Sequence, residues 1–193
     1  MHSLVLRFAQ RLFLWLGVAA LSYAGGTAAY AGIYQRYQLW KFQQEAAELK
    51  VIKSAIVEKT VDLREGDPVG KLEVPRIGIS VIVLQGMERG TLIAGAGHVP
   101  GTPLPGAEGN VVIAAHRDTF FRKLEGILPG DRVQVATLRR TYEYVVSSSE
   151  VVDPEDIQVM ESRARRELTL ITCYPFYFVG PAPKRFIVHA RPL

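Results

Sequence analysis

Cysteine is nearly missing from this chain. Its 193 residues include one, Cys173. A single thiol excludes an internal disulfide framework, and a zinc site would need partners at short spacing. The histidines, His2, His98, His116 and His189, show no such spacing to one another or to Cys173. Neither a metal nor a cofactor is therefore expected. A basic block is also missing. The formal net charge is +4, and the densest cluster, Arg163, Arg165 and Arg166, reads as a solvated face. That leaves no nucleic-acid footprint, although mild basicity suits an anionic envelope or membrane surface. There is no internal repeat and no low-complexity tract. With 48% hydrophobic and 22% charged residues, the composition is that of a folded protein.

Charge is absent from Leu12 to Gln35. This run of about 24 residues, at about 1.5 Å rise each, can cross a hydrocarbon core of about 30 Å. Arg7 and Arg11 precede it, and Arg36 and Lys41 follow. That bias predicts a cytoplasmic segment 1–11, an anchor 12–35, and the bulk of the chain outside the cytoplasm. Trp15, Tyr30 and Tyr34 lie toward the ends of the run, where interfacial aromatics are expected. A cleaved signal peptide is the competing reading, because the second half is rich in Ala and Gly. The length of the run favours an uncleaved anchor, and either reading exports the rest.

Residues 36–69 read as a stalk helix and linker. Leu39, Phe42, Ala46, Leu49 and Ile56 form an apolar stripe, interrupted by Lys53, with no Gly or Pro up to about Glu58. A polar stretch then ends in Gly66-Asp67-Pro68. The folded domain is expected over 70–193. Short strands are predicted at Lys71–Val74, Ser80–Leu84, Val111–Ala115, Arg132–Ala136, Thr141–Val146, Leu168–Thr172 and Arg185–Ala190. Frequent turn signals between them indicate a mainly-β antiparallel sandwich or closed barrel. Pro154–Arg166 is the least strand-like stretch and is expected to hold a short helix.

A lone exported thiol has three readings: a bond between chains, a reactive thiol, or a small buried hydrophobe. Cys173 ends a predicted strand beside a loop, where a side chain is held rigidly yet can be reached. A reactive thiol needs a proton-shuttling partner. His2 lies on the cytoplasmic side, and His189 within the last strand reads as structural. His98, in the Gly- and Pro-rich segment 95–105, either bonds locally or lines a site mouth. His116 ends the strand Val111–Ala115 much as Cys173 ends its own, and it is the best partner. Arg185 starts the strand that follows Cys173 through one loop. Its fork suits an oxyanion or substrate carbonyls; the competing reading is a surface arginine at a strand start.

These residues carry a resemblance. Thr169-Leu170-Ile171-Thr172-Cys173 resembles the TLxTC motif of sortases, transpeptidases that attach proteins to bacterial cell walls. Ala115-His116-Arg117-Asp118-Thr119-Phe120-Phe121 resembles that family's histidine segment, and Pro183-Lys184-Arg185-Phe186-Ile187-Val188 its arginine strand. The order His, Cys, Arg also matches. Cys173-Tyr174-Pro175-Phe176 and the short loop to Arg185 look most like class D.

The resemblance implies a closed eight-stranded sortase-type β-barrel with short helices, preceded by the transmembrane and stalk helix. It implies that Cys173 attacks an LPxTG-like sorting motif at the Thr–Gly bond. His116 would protonate the leaving amine and then deprotonate the incoming one, and Arg185 would hold carbonyls and the oxyanion. Thr172, Ala114 and Ile171 would line the substrate groove, with 154–166 as a wall. The partners would be sorting-signal proteins, an amine acceptor such as a peptidoglycan precursor, and the cell membrane. A thiol–imidazole pair of this kind predicts a bell-shaped rate profile. Three rivals remain: a cysteine protease or amidase, which hydrolyses; an L,D-transpeptidase, whose arginine would stand where Pro175 is; and a tethered binding module with an inert cysteine.

Overall fold

The structure, a computed structural model, describes residues 2–52, 63–160 and 166–193. One long helix, α1 (His2–Ile52), precedes the strands. Eight strands follow: β1 (Pro68–Val74), β2 (Ile79–Gln85), β3 (Ala96–His98), β4 (Asn110–Ala114), β5 (Arg132–Ala136), β6 (Thr141–Val152), β7 (Glu167–Tyr174) and β8 (Lys184–Pro192). A short helix, α2 (Arg89–Ala94), connects β2 to β3, and 3₁₀ turns occupy Pro75–Ile77, Arg122–Gly126 and Ile157–Met160. The last of these lies in the segment expected to be helical; 161–165 fall outside the described residues, as do Lys53, Ile56 and Glu58.

The strands close into a barrel in the order β1-β2-β3-β4-β7-β8-β6-β5. The expected antiparallel pairing holds except at two places. β2 pairs with β3 in parallel, and β4 with β7 in parallel. Parallel neighbours need a crossover connection. α2 supplies the first, and the β5–β6 hairpin is inserted between β4 and β7 in sequence.

The wall alternates as a pleated sheet must. Val111 and Ile113 of β4, Leu168 and Leu170 of β7, and Val188 and Ala190 of β8 belong to the interior cluster, with Leu72, Phe121 and Leu124. Several are fully buried, among them Leu72, Ile113, Phe121, Leu124, Leu168 and Leu170 at 0% exposure. Each such side chain contributes about 1.5–3 kcal/mol relative to remaining in water. Leu63 packs against the same cluster from ahead of β1.

β3 is the strand that lies inside the segment read as a Gly- and Pro-rich loop. Gly97 pairs with Leu84 on one side and Ala114 on the other, and a Cβ there would run into the carbonyl oxygen of Gly86. Only glycine lets the backbones approach this closely. β6 also runs six residues beyond its expected end, because the exposed Ser148 and Ser149 follow a register shift at Ser147 and still pair with β8.

α1 does not detach from the barrel at the end of its apolar run. Leu12, Phe13, Leu21 and Ile33 are exposed. Just beyond them, Gln35 donates to the carbonyl of Ala94 and accepts from the amide of Ile82 at 3.1 Å. Two turns further on, Phe42 is buried with Ile82, Leu84 and Ala94, and Tyr34 and Leu138 pack on that cluster. The segment Arg11–Gln44 is long and apolar enough to cross a membrane by length and composition.

Candidate active site

Parallel pairing brings the ends of β4 and β7 to one rim of the barrel. Ala114 is paired with Ile171, and the amide of Ala115 donates to the carbonyl of Ile171 at 3.1 Å. His116 stands two residues beyond Ala114, as Cys173 stands two residues beyond Ile171. Side chains alternate with period two, so Cys173 shares the outer face of the wall with Ile171. Antiparallel pairing then sets Arg185 directly opposite Cys173 across β7 and β8. Directly opposed residues have Cβ atoms about 4.5–5.5 Å apart on one face. His116, more than fifty residues before Cys173, thus reaches the same rim of adjacent strands as Cys173 and Arg185.

Cys173 is half-buried and free, and His116 is half-buried. No hydrogen bond joins Cys173, His116 and Arg185 to one another among the described residues. The Arg185 guanidinium is turned onto its own approach loop, with Nη1 donating to the carbonyls of Ala182 at 3.3 Å and Lys184 at 3.0 Å. Catalytic contacts in unliganded enzymes are often loose and tighten only around substrate.

The other predicted groove residues fall into two groups. Ala114 and Ile171 lie on the outer face beside the rim, the first nearly buried and the second half-buried. Thr172 has the opposite phase. It is 2% exposed, and its hydroxyl donates to the carbonyl of Ala115 at 2.8 Å. That bond ties the end of β7 to the residue before His116.

His98 and His189 are accounted for locally. Nδ1 of His98 lies 2.8 Å from Gln85 Oε1 and Nε2 lies 2.9 Å from the Pro103 carbonyl. Burial pushes its pKa below the ordinary histidine value. His189 pairs with Glu150 at 2.8 Å on the outside of the wall.

A group that the sequence reading passed over is Arg117. It reaches from the residue after His116 into the loop after Cys173, donating to the carbonyls of Pro175, Phe178 and Gly180. The same loop is gripped further out, where Arg122 stacks on the Tyr177 ring at 4.7 Å and the Tyr177 hydroxyl donates to Glu125 at 2.8 Å. The Tyr174–Pro175 peptide that opens the loop is cis. Its inner side is lined by Tyr174, Phe176 and Phe186, whose rings pack within 5.3–6.3 Å of one another. A separate cleft of about 380 Å³ between Arg140, Tyr142, Tyr144 and Arg166 touches none of these residues; it lies where β6 begins and β8 ends, at the far rim.

Known proteins share this architecture and its sequence. A family model described as the sortase domain matches residues 72–193. Sortase D of Bacillus subtilis is 32% identical over 127 residues, covering 65% of this chain and 64% of the relative. Sortase A of Listeria monocytogenes is 26% identical over 136 residues, covering 68% and 60%. The chain thus spans less than two thirds of the length of these relatives. Among solved structures, the sortase D5 transpeptidase of Clostridium perfringens superposes with a TM-score of 0.69 at 23% identity, covering 83% of this chain and 98% of that one. With the closed barrel and a domain match over most of its length, the chain belongs to the sortase family.

Proposed function

We propose that this protein is a membrane-anchored cysteine transpeptidase acting on an LPxTG-like sorting motif outside the cytoplasm. The observation that carries the reading is the register: Cys173 faces Arg185 across β7 and β8, and His116 continues β4 in the phase at which Cys173 continues β7. Sortases as a family act on sorting-signal proteins and amine acceptors, and the resemblance of the three segments extends that chemistry to these residues.

The Cys173 sulfur attacks the carbonyl carbon of the Thr–Gly bond as a thiolate, forming a C–S bond. The oxyanion that develops needs fixed positive charge, and the Arg185 guanidinium supplies it on leaving the carbonyls of Ala182 and Lys184. Collapse breaks the C–N bond, and the departing amine takes a proton from the His116 imidazolium. A thioester remains on Cys173. The incoming envelope amine gives a proton to His116 and attacks the thioester, and sulfur leaves as thiolate. Ala114 and Ile171, on the face shared with Cys173, are the groove positions for the motif. Thr172 acts from beneath, by fixing the Ala115 carbonyl beside His116. α1 crosses the membrane over the exposed run that ends near Gln35.

The test is incubation of the full chain in detergent with a library of LPxT-type peptides and a panel of amines. Mass spectrometry is expected to show cleavage after Thr, an amide product with one amine, and a thioester mass on Cys173. Cys173→Ala is expected to give no product. Products that contain water even at saturating amine would make the enzyme a hydrolase. A Cys173 that no reactive peptide labels would make the protein a binding module.

A further inference from the structure

Cys173 and Arg185 are separated in sequence by one loop, 175–183, and the loop sets how the two present themselves to a common substrate. Its backbone carbonyls are shared between two guanidinium groups. Arg117 takes the first half: Nη1 donates to Pro175 at 3.0 Å, and Nη2 to Phe178 at 2.7 Å and Gly180 at 3.0 Å. The guanidinium also stands 5.8 Å from the centre of the Phe178 ring. Arg185 takes the end of the loop through Ala182, and also bonds Lys184, the first residue of β8. No carboxylate pairs with Arg117 among the described residues, so its fixed fork is spent on backbone acceptors alone. Only arginine offers five donors in one rigid plane.

Arg117 also follows His116 directly. One side chain therefore connects the histidine segment to the segment that begins at Cys173. The proposed mechanism requires Arg185 to turn from the loop to the oxyanion, which removes its hydrogen bond to Ala182 at the moment of reaction. The loop keeps its shape only if the other half is held independently.

We infer that Arg117 is a positioning residue for acyl transfer: it clamps the 175–183 loop to the His116 segment so that Arg185 can leave the loop without disturbing Cys173. This rests on the proposed roles of Cys173, His116 and Arg185. The clamp is geometric rather than electrostatic, because three carbonyls in different directions need the planar fork, and a point charge cannot satisfy them together. The residue touches no substrate, so its loss acts on turnover and leaves binding nearly intact. A misplacement of about 1 Å in such a site can cost about 10²-fold in rate.

The experiment compares full-length wild type, Arg117→Ala, Arg117→Lys and Arg122→Ala with the peptide and amine selected by the library, measuring kcat, KM and thermal midpoint. Arg117→Ala is expected to lower kcat by about 10- to 100-fold with KM changed by less than about 3-fold. Arg117→Lys keeps the charge and is expected to recover little of that loss. Arg122→Ala, which removes only the outer grip on Tyr177, is expected to stay within about 2-fold. Wild-type kcat in Arg117→Lys would overturn the inference, as would a kcat loss in Arg117→Ala that merely follows the folded fraction. Should Arg117→Ala fail to fold, Arg117→Lys and Arg117→Gln, which keep most of the side-chain bulk, decide the matter by the same kcat and KM comparison. Turnover surviving in Cys173→Ala or His116→Ala, or no turnover by wild type with any pair, would instead sink the reading of the site itself.

Discussion

Arginines on one rim of this barrel are held in opposite ways. Arg76, in the turn between β1 and β2, forks onto the carboxylate of Asp131 at the foot of β5, with a further bond to the Gly126 carbonyl at 2.6 Å. Asp131 is buried, its side chain 5% exposed, and it also accepts from the Leu128 amide at 2.8 Å. The hydrogen bond from Arg76 holds its carboxyl below the ordinary carboxylate range. Among the described residues, Arg117 and Arg185 donate to neutral carbonyls. A carboxylate cancels the charge of a guanidinium and pins it. Carbonyls leave the full charge standing and are easily exchanged for another oxygen. The first arrangement builds a turn; the second spans one loop at Arg117, and at Arg185 it suits the proposed turn toward an anion that exists only during reaction.

The largest effect that would break this contrast is at Arg185. Arg185→Lys is expected to lower kcat by about 10²- to 10³-fold while leaving the thermal midpoint nearly unchanged, because the ammonium cannot present a planar fork to the oxyanion. A near-normal kcat would mean that Arg185 is a surface residue at a strand start.

Asp131→Asn should show the reverse profile. Loss of a charged, buried hydrogen-bond partner should lower the thermal midpoint by about 3–6 °C, with activity per folded molecule unchanged. A loss of turnover without a loss of stability would place Arg76 and Asp131 in the reaction machinery and dissolve the distinction.

Titration sharpens it further. Asp131 has a depressed folded pKa, so its stabilisation is present above its ordinary value of 3.8 and is lost as pH falls through the folded value. His98 is also depressed, mainly by burial; the unfolded chain binds its proton more readily, and stability is therefore lost as pH falls below 6.5. Melting curves of wild type between about pH 7.5 and 5 should decline, and His98→Asn should flatten that decline. The same slope in both would assign it to other groups.

The smallest effect is expected at Glu108, whose pair with Arg166 is 72% and 47% exposed. Glu108→Gln should move the midpoint by no more than about 1 °C, since exposed pairs contribute about 0–1 kcal/mol. A larger shift would show that carboxylate pairing matters even in water.

Much of the site was legible because its chemistry resides in residue types. A lone thiol, a histidine at a strand end and an arginine after one loop can each be read from letters. Their alignment could not be read, since the parallel match of Ala114 with Ile171 depends on a crossover that no local pattern encodes. β3 was hidden for a related reason. It has three residues, and Gly97 is there for a close backbone approach that glycine-rich composition presents as a loop. Arg117 lay inside the quoted histidine segment, yet its partners are carbonyls, which every residue carries and no sequence distinguishes. Gln35 had partners hidden in the same way: it was read only as the end of an apolar run, and its amide also bonds the backbone of Ala94 and Ile82.

That amide has a bearing on where the enzyme can work. With α1 across the bilayer, a slack cord would let the barrel roam a hemisphere above the lipid. Gln35 and Phe42 instead brace the barrel against its own mast. In the proposed membrane arrangement, such a brace would confine the thiol to a thin shell and couple its heading to the lean of the helix. On the proposed function, a sorting-signal substrate would then have to supply the slack, through the stretch of chain before its own anchor.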